Sequence, residues 1–89
     1  MARHISALKR ARQNKKRRMR NQSRKTRVKS VVREVRLAMA KKDAAGAETA
    51  LTKAVPIIAQ VAGKGTLHWR AAARKISRLT RQVNALKSA

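Results

Sequence analysis

Almost every side chain here that could do chemistry is a cation. Against 25 Lys and Arg stand 3 acids, 2 His and no Cys, giving a net charge of +22 on 89 residues. Without Cys there is no disulfide framework, thiolate zinc site or cysteine nucleophile. Glu34, Asp43 and Glu48 are too few for a metal cage or a paired-carboxylate hydrolase. His4 lies near the terminus, so a metal pair with His68 is not expected. Lys64-Gly65 lacks the spacing of a nucleotide-binding loop, and no hydroxyl has a His-Asp arrangement beside it. The chain is therefore not expected to be an enzyme, and no cofactor or metal is expected. Cations at this density bind a polyanion, because self-repulsion on this scale needs a partner that neutralises it. Nucleic acid and an anionic membrane are the two classes left.

The cations are unevenly placed. Residues 1–33 hold 14 Lys/Arg and no acid, a balance of +14, and residues 34–89 carry the remaining +8. In the first segment Lys15, Lys16, Arg17, Arg18, Arg20, Arg24, Lys25 and Arg27 surround a helix axis on every side, with Arg12 one turn earlier. Asn21, Gln22, Ser23 and Thr26 add short polar groups suited to phosphate and sugar. A disordered basic tail is the plain alternative. Against it stands a composition of Ala, Leu, Met, Lys, Arg and Gln, mostly good helix formers.

Positioning falls to helices. No Pro or Gly interrupts Ser6 to Lys42, so one helix over about 6–42 is predicted, with Ser6 as a plausible N-cap. It would be about 54 Å long. Only its second half has an apolar stripe: Val28, Val31, Val32, Val35, Ala38 and Met39. Like charges at i, i+4 oppose helix in the first half, which should fray in isolation. Asp43 reads as the N-cap of a second helix over about 44–62, with a stripe through Leu51 and Ile58. Pro56 within it predicts a kink or, alternatively, a break into two shorter helices. Gly63-Lys64-Gly65 closes that segment, and Thr66 can cap the next. In a third helix, over about 67–87, Trp69, Ala72, Ile76, Leu79, Val83 and Leu86 form a seam. Arg70, Arg74, Arg78 and Arg81 lie opposite it.

The expected fold is all-α: one domain over 1–89, a three-helix bundle from which a long, highly basic N-terminal helix projects. Its expected core is Val28, Val32, Val35, Leu51, Ile58, Trp69, Ile76, Leu79 and Val83. That core is thin, since 17 of the apolar residues are Ala and there is no Phe or Tyr. Met1-Ala2-Arg3-His4 shows no secretory run. The longest uncharged stretch, Ala54 to Gly63, falls far short of the roughly 20 residues that span a bilayer. A soluble, intracellular protein without a membrane partner is expected.

Structured RNA fits better than DNA. Basic-region DNA binders carry a long dimerising zipper, whereas these seams are only long enough for an intramolecular bundle. An A-form major groove is too deep and narrow to read, so a helix on RNA follows phosphates. The single aromatic argues against a row of stacking sites. Trp69 itself lies on the seam, which favours packing over stacking. His68, beside the turn and a helix N-terminus, reads equally as a solvated imidazole or a phosphate donor. A histone-like DNA compactor and a membrane-active amphipathic helix are the rival readings. The second is weakened by an arm that has no apolar face.

Ser6-Ala7, Lys9-Arg10, Gln13, Arg18, Asn21 and Ser23, in that order, resemble the opening of the bacterial small-subunit ribosomal protein family numbered twenty. The Asp43 turn, Pro56-Ile57 and Lys64-Gly65-Thr66-Leu67-His68 extend the pattern, as do Ala72-Ala73-Arg74-Lys75 and Ser77-Arg78-Leu79. The resemblance runs almost end to end. It implies a three-helix bundle with a long first helix, bound directly to 16S rRNA near the foot of the small subunit. It implies a bridge between the 5′ domain and the long penultimate helix of that RNA, a part in assembly and translation, and a cytoplasmic location. Few protein contacts and no homo-oligomer are expected. By match to the family, Ser6, Lys9, Arg10, Gln13, Arg18, Asn21, Ser23 and Arg24 carry RNA contacts on the arm. Lys64, His68, Arg74 and Arg78 do so at the second turn and helix three. The neighbouring cations Arg12, Lys16, Arg17 and Arg27 join them on charge and position. Where the family has a basic residue and Asn after the His, this chain has Trp69-Arg70, so Arg70 could stand in for the amide.

Overall fold

The computed structural model describes residues 2–89, with side chains from His4 onward, so the reading of Met1-Ala2-Arg3 lies outside the described side chains. Three helices and no strand occur among the described residues: α1 (Ala2–Ala40), α2 (Ala44–Gly63) and α3 (Trp69–Ser88). The molecule measures 67 × 22 × 14 Å, with a radius of gyration of 17.9 Å. A compact chain of this length would have a radius near ~12 Å. The excess is α1, whose first half extends beyond the rest.

Ser6 is not the N-cap of α1. It lies inside a helix that begins at Ala2, because nothing in Ala2–Ile5 opposes helix formation. The C-terminal end comes earlier than residue 42. Lys42 turns to the left-handed region (φ 56°), its N–H bonds Met39 O at 3.0 Å, and the Asp43 N–H bonds Ala38 O at 3.0 Å. This paired closure satisfies the last carbonyls of α1 and reverses the chain within three residues. The Asp43 carboxylate then accepts the Gly46 N–H at 3.0 Å and caps α2. α2 runs unbroken through Pro56. That ring is exposed, so water can reach the carbonyl it leaves without a donor.

The second turn differs from the reading in which Thr66 caps α3. Gly65 takes the left-handed conformation (φ 79°) that a side chain would strain. Thr66 is turned back onto α1, and the N-cap is His68, whose Nδ1 accepts the Arg70 N–H at 3.2 Å.

The core joins Val28, Val31 and Val35 of α1, Ala47, Ala54, Ile58 and Val61 of α2, and Ala72, Leu79 and Val83 of α3. Val32, Leu51, Ile76 and Leu86 pack against it while remaining partly exposed. Two alanines with no exposed surface, Ala47 and Ala54, let the helix backbones approach closely where larger side chains are scarce. No polar side chain is buried among the described residues. α2 is the central member, packed on both neighbours, and α3 touches α1 only sparsely.

Trp69 does not belong to the core. It is 65% exposed. α3 starts at Trp69, so the ring sits at the very end of the seam, where Leu67 packs on the core instead. The first buried seam position is Ala72.

Candidate nucleic-acid interface

On α1 the three buried valines stand on one helical face. Stepping back from them by three or four residues at a time, that face continues through Arg24, Asn21, Arg17, Gln13, Arg10 and Ser6. The surface that meets α2 in the second half of the helix is thus prolonged by polar and cationic groups. Every residue from His4 to Ser23 is exposed. Lys9 and Arg27 flank this face, whereas Arg12, Lys16, Arg18 and Ser23 look away from it around the helix. The arm therefore offers cations on all sides, including the side where the core stripe would otherwise run.

Arg24 is the first side chain of the arm that is partly buried, and the reason is a latch. Its Nη1 donates to Thr66 Oγ1 at 3.2 Å, and that hydroxyl donates to Asn21 Oδ1 at 3.3 Å. These two bonds span 42 and 45 residues and dock the α2–α3 turn on the middle of α1. Asn21 and Arg24 are so brought beside the turn that carries Lys64 and His68. The Nδ1 of His68 is occupied by the Arg70 N–H, which leaves Nε2–H as its free ring donor.

Arg70, Arg74 and Arg78 are exposed along α3, with Arg81 continuing the row. Ala73, Arg74, Ser77, Arg78 and Arg81 line a shallow surface groove. Ser6, Lys9 and Arg10, at the far end of the arm, are not brought near these α3 residues.

One group of cations is absent from the site expected from sequence. Because α3 leaves α1 largely uncovered, an open cleft runs between them, lined by Val28, Lys29, Val32, Arg33, Arg36, Leu37 and Lys75. Lys25 borders its continuation beside Val61 and Leu67. The spacing of Lys25, Lys29 and Arg33 marks one side of α1 and was legible as a cationic row. The arrival of Lys75 from α3 was not.

Few of these charges are neutralised within the chain. Among the described residues the one ion pair joins Lys87 Nζ to Glu48 Oε1 at 3.0 Å, at the end of the bundle remote from the latch. No group of three or more metal-ligating side chains occurs among the described residues. No helix of the structure is long and apolar enough to cross a membrane.

The sequence profile described as Ribosomal protein S20 matches residues 2–84. The chain is 52% identical over 89 residues, the whole of both chains, to "Small ribosomal subunit protein bS20" of Solidesulfovibrio magneticus. It is 51% identical over 87 residues to the protein of the same name from Nitratidesulfovibrio vulgaris, covering 98% of this chain and all of the other. The Geobacter metallireducens protein of that name is 48% identical over 86 residues, 97% of this chain and 99% of its own.

Proposed function

The chain belongs to the ribosomal protein S20 family, and from that membership we propose that it binds 16S rRNA directly and stabilises its fold during subunit assembly. Its role is that of a structural component of the small ribosomal subunit, not an enzyme. The reading places it in the cytoplasm, with the 5′ domain and the long penultimate helix of the RNA as its two contact regions. It acts without a homo-oligomer and with few protein neighbours.

One observation carries this reading. The face of α1 that packs on α2 continues past the bundle as Arg24, Asn21, Arg17, Gln13, Arg10 and Ser6, exposed up to Asn21. A helical face that meets protein at one end and presents guanidinium and amide groups at the other is built to be covered by something anionic. The RNA backbone supplies that anion at regular spacing, and the arm's other cations let it face more than one strand. Ordering each residue of such an arm costs about 1–2 kcal/mol of backbone entropy. Phosphate contacts offset that cost, so helix order in the arm and binding are coupled. The latch of Thr66 on Asn21 and Arg24 fixes the arm relative to Lys64, His68 and Arg70. Arm and turn then engage the RNA as one surface, with Lys9, Arg12, Lys16, Arg18, Ser23, Arg27, Arg74 and Arg78 around it.

A competition assay near ~150 mM salt tests the reading, because salt at that level already screens nonspecific charge attraction. Labelled 16S rRNA is challenged with unlabelled duplex DNA and with an unrelated structured RNA of equal phosphate count. Neither competitor displaces the protein if it recognises the fold of that rRNA. Competition by duplex DNA, phosphate for phosphate, sinks the reading in favour of general nucleic-acid packaging. Affinity should also fall about 10³–10⁵-fold between 50 and 200 mM salt, as expected for about 6–10 phosphate contacts.

A further inference from the structure

We propose that Trp69 is a stacking site for a single unpaired nucleobase of the bound RNA. The inference rests on the rRNA-binding reading and adds a contact of a different chemical kind.

Trp69 is the one aromatic residue among 89 and is 65% exposed, although it begins a helix whose seam is otherwise turned inward. The core does not use it, because Leu67 and Ala72 close that end of the bundle. The surroundings of the indole are flat and polar. The His68 ring lies 5.9 Å away, centroid to centroid, inclined by 25°, and the Arg70 guanidinium carbon lies 5.2 Å from the indole centroid. Three adjacent planar groups thus gather at the positive end of α3. Base–aromatic stacking accepts any base, and arginine adds a cation–π contribution.

Charge selects the occupant. Every ionisable side chain within five residues of Trp69 on either side is Lys, Arg or His: Lys64, His68, Arg70 and Arg74. An apolar segment of a neighbouring protein would cover the indole but leave these cations unneutralised. A nucleotide supplies both parts, a ring for Trp69 and a phosphate for Arg70 or Lys64. The position is also fixed. Thr66, three residues before the indole, is bonded to Asn21 and Arg24, so the site is held at a set distance from the phosphate-binding face of α1. With only one aromatic present, one base is read. It must come from a loop, bulge or strand end, since a base within a duplex has no free face.

The chain reports on this site itself, because Trp69 is its sole Trp and there is no Tyr. The full-length protein is titrated with naked 16S rRNA while indole emission and its quenching by acrylamide are followed. Stacking predicts strong loss of emission and protection from acrylamide at saturation. Trp69→Leu, which keeps apolar bulk and removes the ring, should weaken binding about 5- to 150-fold with an unchanged salt slope. Trp69→Phe should recover most of that loss. Since the side chain is exposed, circular dichroism of all three proteins should coincide. An rRNA complex with unaltered emission and acrylamide access overturns the proposal, as does Trp69→Leu binding within twofold of wild type. Protection that appears only in the assembled subunit, and not on naked rRNA, makes the indole a protein contact and also overturns it. Failure of the rRNA-binding reading looks different: the wild-type protein itself would then show no specific complex.

Discussion

The two halves of α1 have the same backbone and opposite surroundings. Between Val28 and Val35 three side chains are at most 6% exposed, and α2 lies along them. From His4 to Ser23 not one residue is covered, and Ile5, Leu8 and Met19 stand in water at 65%, 50% and 61%. Backbone ordering costs the two halves about the same per residue. In the second half, burial of apolar surface at about 25 cal/mol per Å² works against that cost. In the first half only helix propensity and backbone hydrogen bonds do, and like charges one turn apart oppose them. On the proposed reading, one helix is held at one end by its own protein and at the other by the RNA it binds. The bundle then sets the direction of the arm, and the arm is expected to supply the affinity.

Removing the arm should separate the two most sharply. A variant lacking residues 1–20 should lose at least about 100-fold in rRNA affinity near 150 mM salt, since several phosphate contacts vanish together. Its bundle should melt within about 0.5 kcal/mol of the full chain, because no core residue is lost. A large drop in melting temperature would show that the arm is part of the folded unit. The converse change is Ile58→Ala. Ile58 is 1% exposed and sits between the other two helices, so a cost of about 2–5 kcal/mol is expected. Denaturant unfolding would measure it, and the variant should regain helix content when rRNA is added.

Smaller effects sharpen the same contrast. Asp43→Ala removes the cap that receives the Gly46 N–H and should cost the bundle about 1 kcal/mol while leaving the salt slope of binding unchanged. A changed slope would mean that the turn itself touches RNA. Least of all, Glu48→Ala should alter stability by less than about 0.5 kcal/mol. Its pairing with Lys87 is exposed, with relative side-chain exposures of 42% and 55%. A chemical denaturation midpoint shifted beyond experimental error at low salt would contradict that.

Much of the molecule was legible before its structure. Periodicity located three helices, because a stripe at 3.6-residue spacing has meaning only on a helix. Asp43 was legible as a cap because a short acid between Lys41-Lys42 and an alanine run has little else to do there. Trp69 was misread for a definable reason. Its spacing continues the seam of Ile76 and Leu79, but spacing gives only the side of the helix on which a residue stands, and at the first residue of α3 it is Leu67, not the indole, that packs on the core. Thr66 was misread similarly. As a hydroxyl before a helix it suits a cap, yet Asn21 and Arg24, more than 40 residues earlier, hold it instead.

By itself the sequence determined the chemistry: an excess of 22 positive charges with no catalytic set, carried on helices, 14 of them on a segment without a core face. Charge and helical period are local properties, readable one residue at a time. The tertiary structure decided which of those charges share a surface. It docked Thr66 on α1 and so joined the second turn to the arm. It opened the cleft where Lys75 faces Lys29 and Arg33, and it left Trp69 in solvent. Each depends on how the three helices lie along one another, which is set by the two turns and by the small buried alanines of α2, and no stretch of chain encodes it alone.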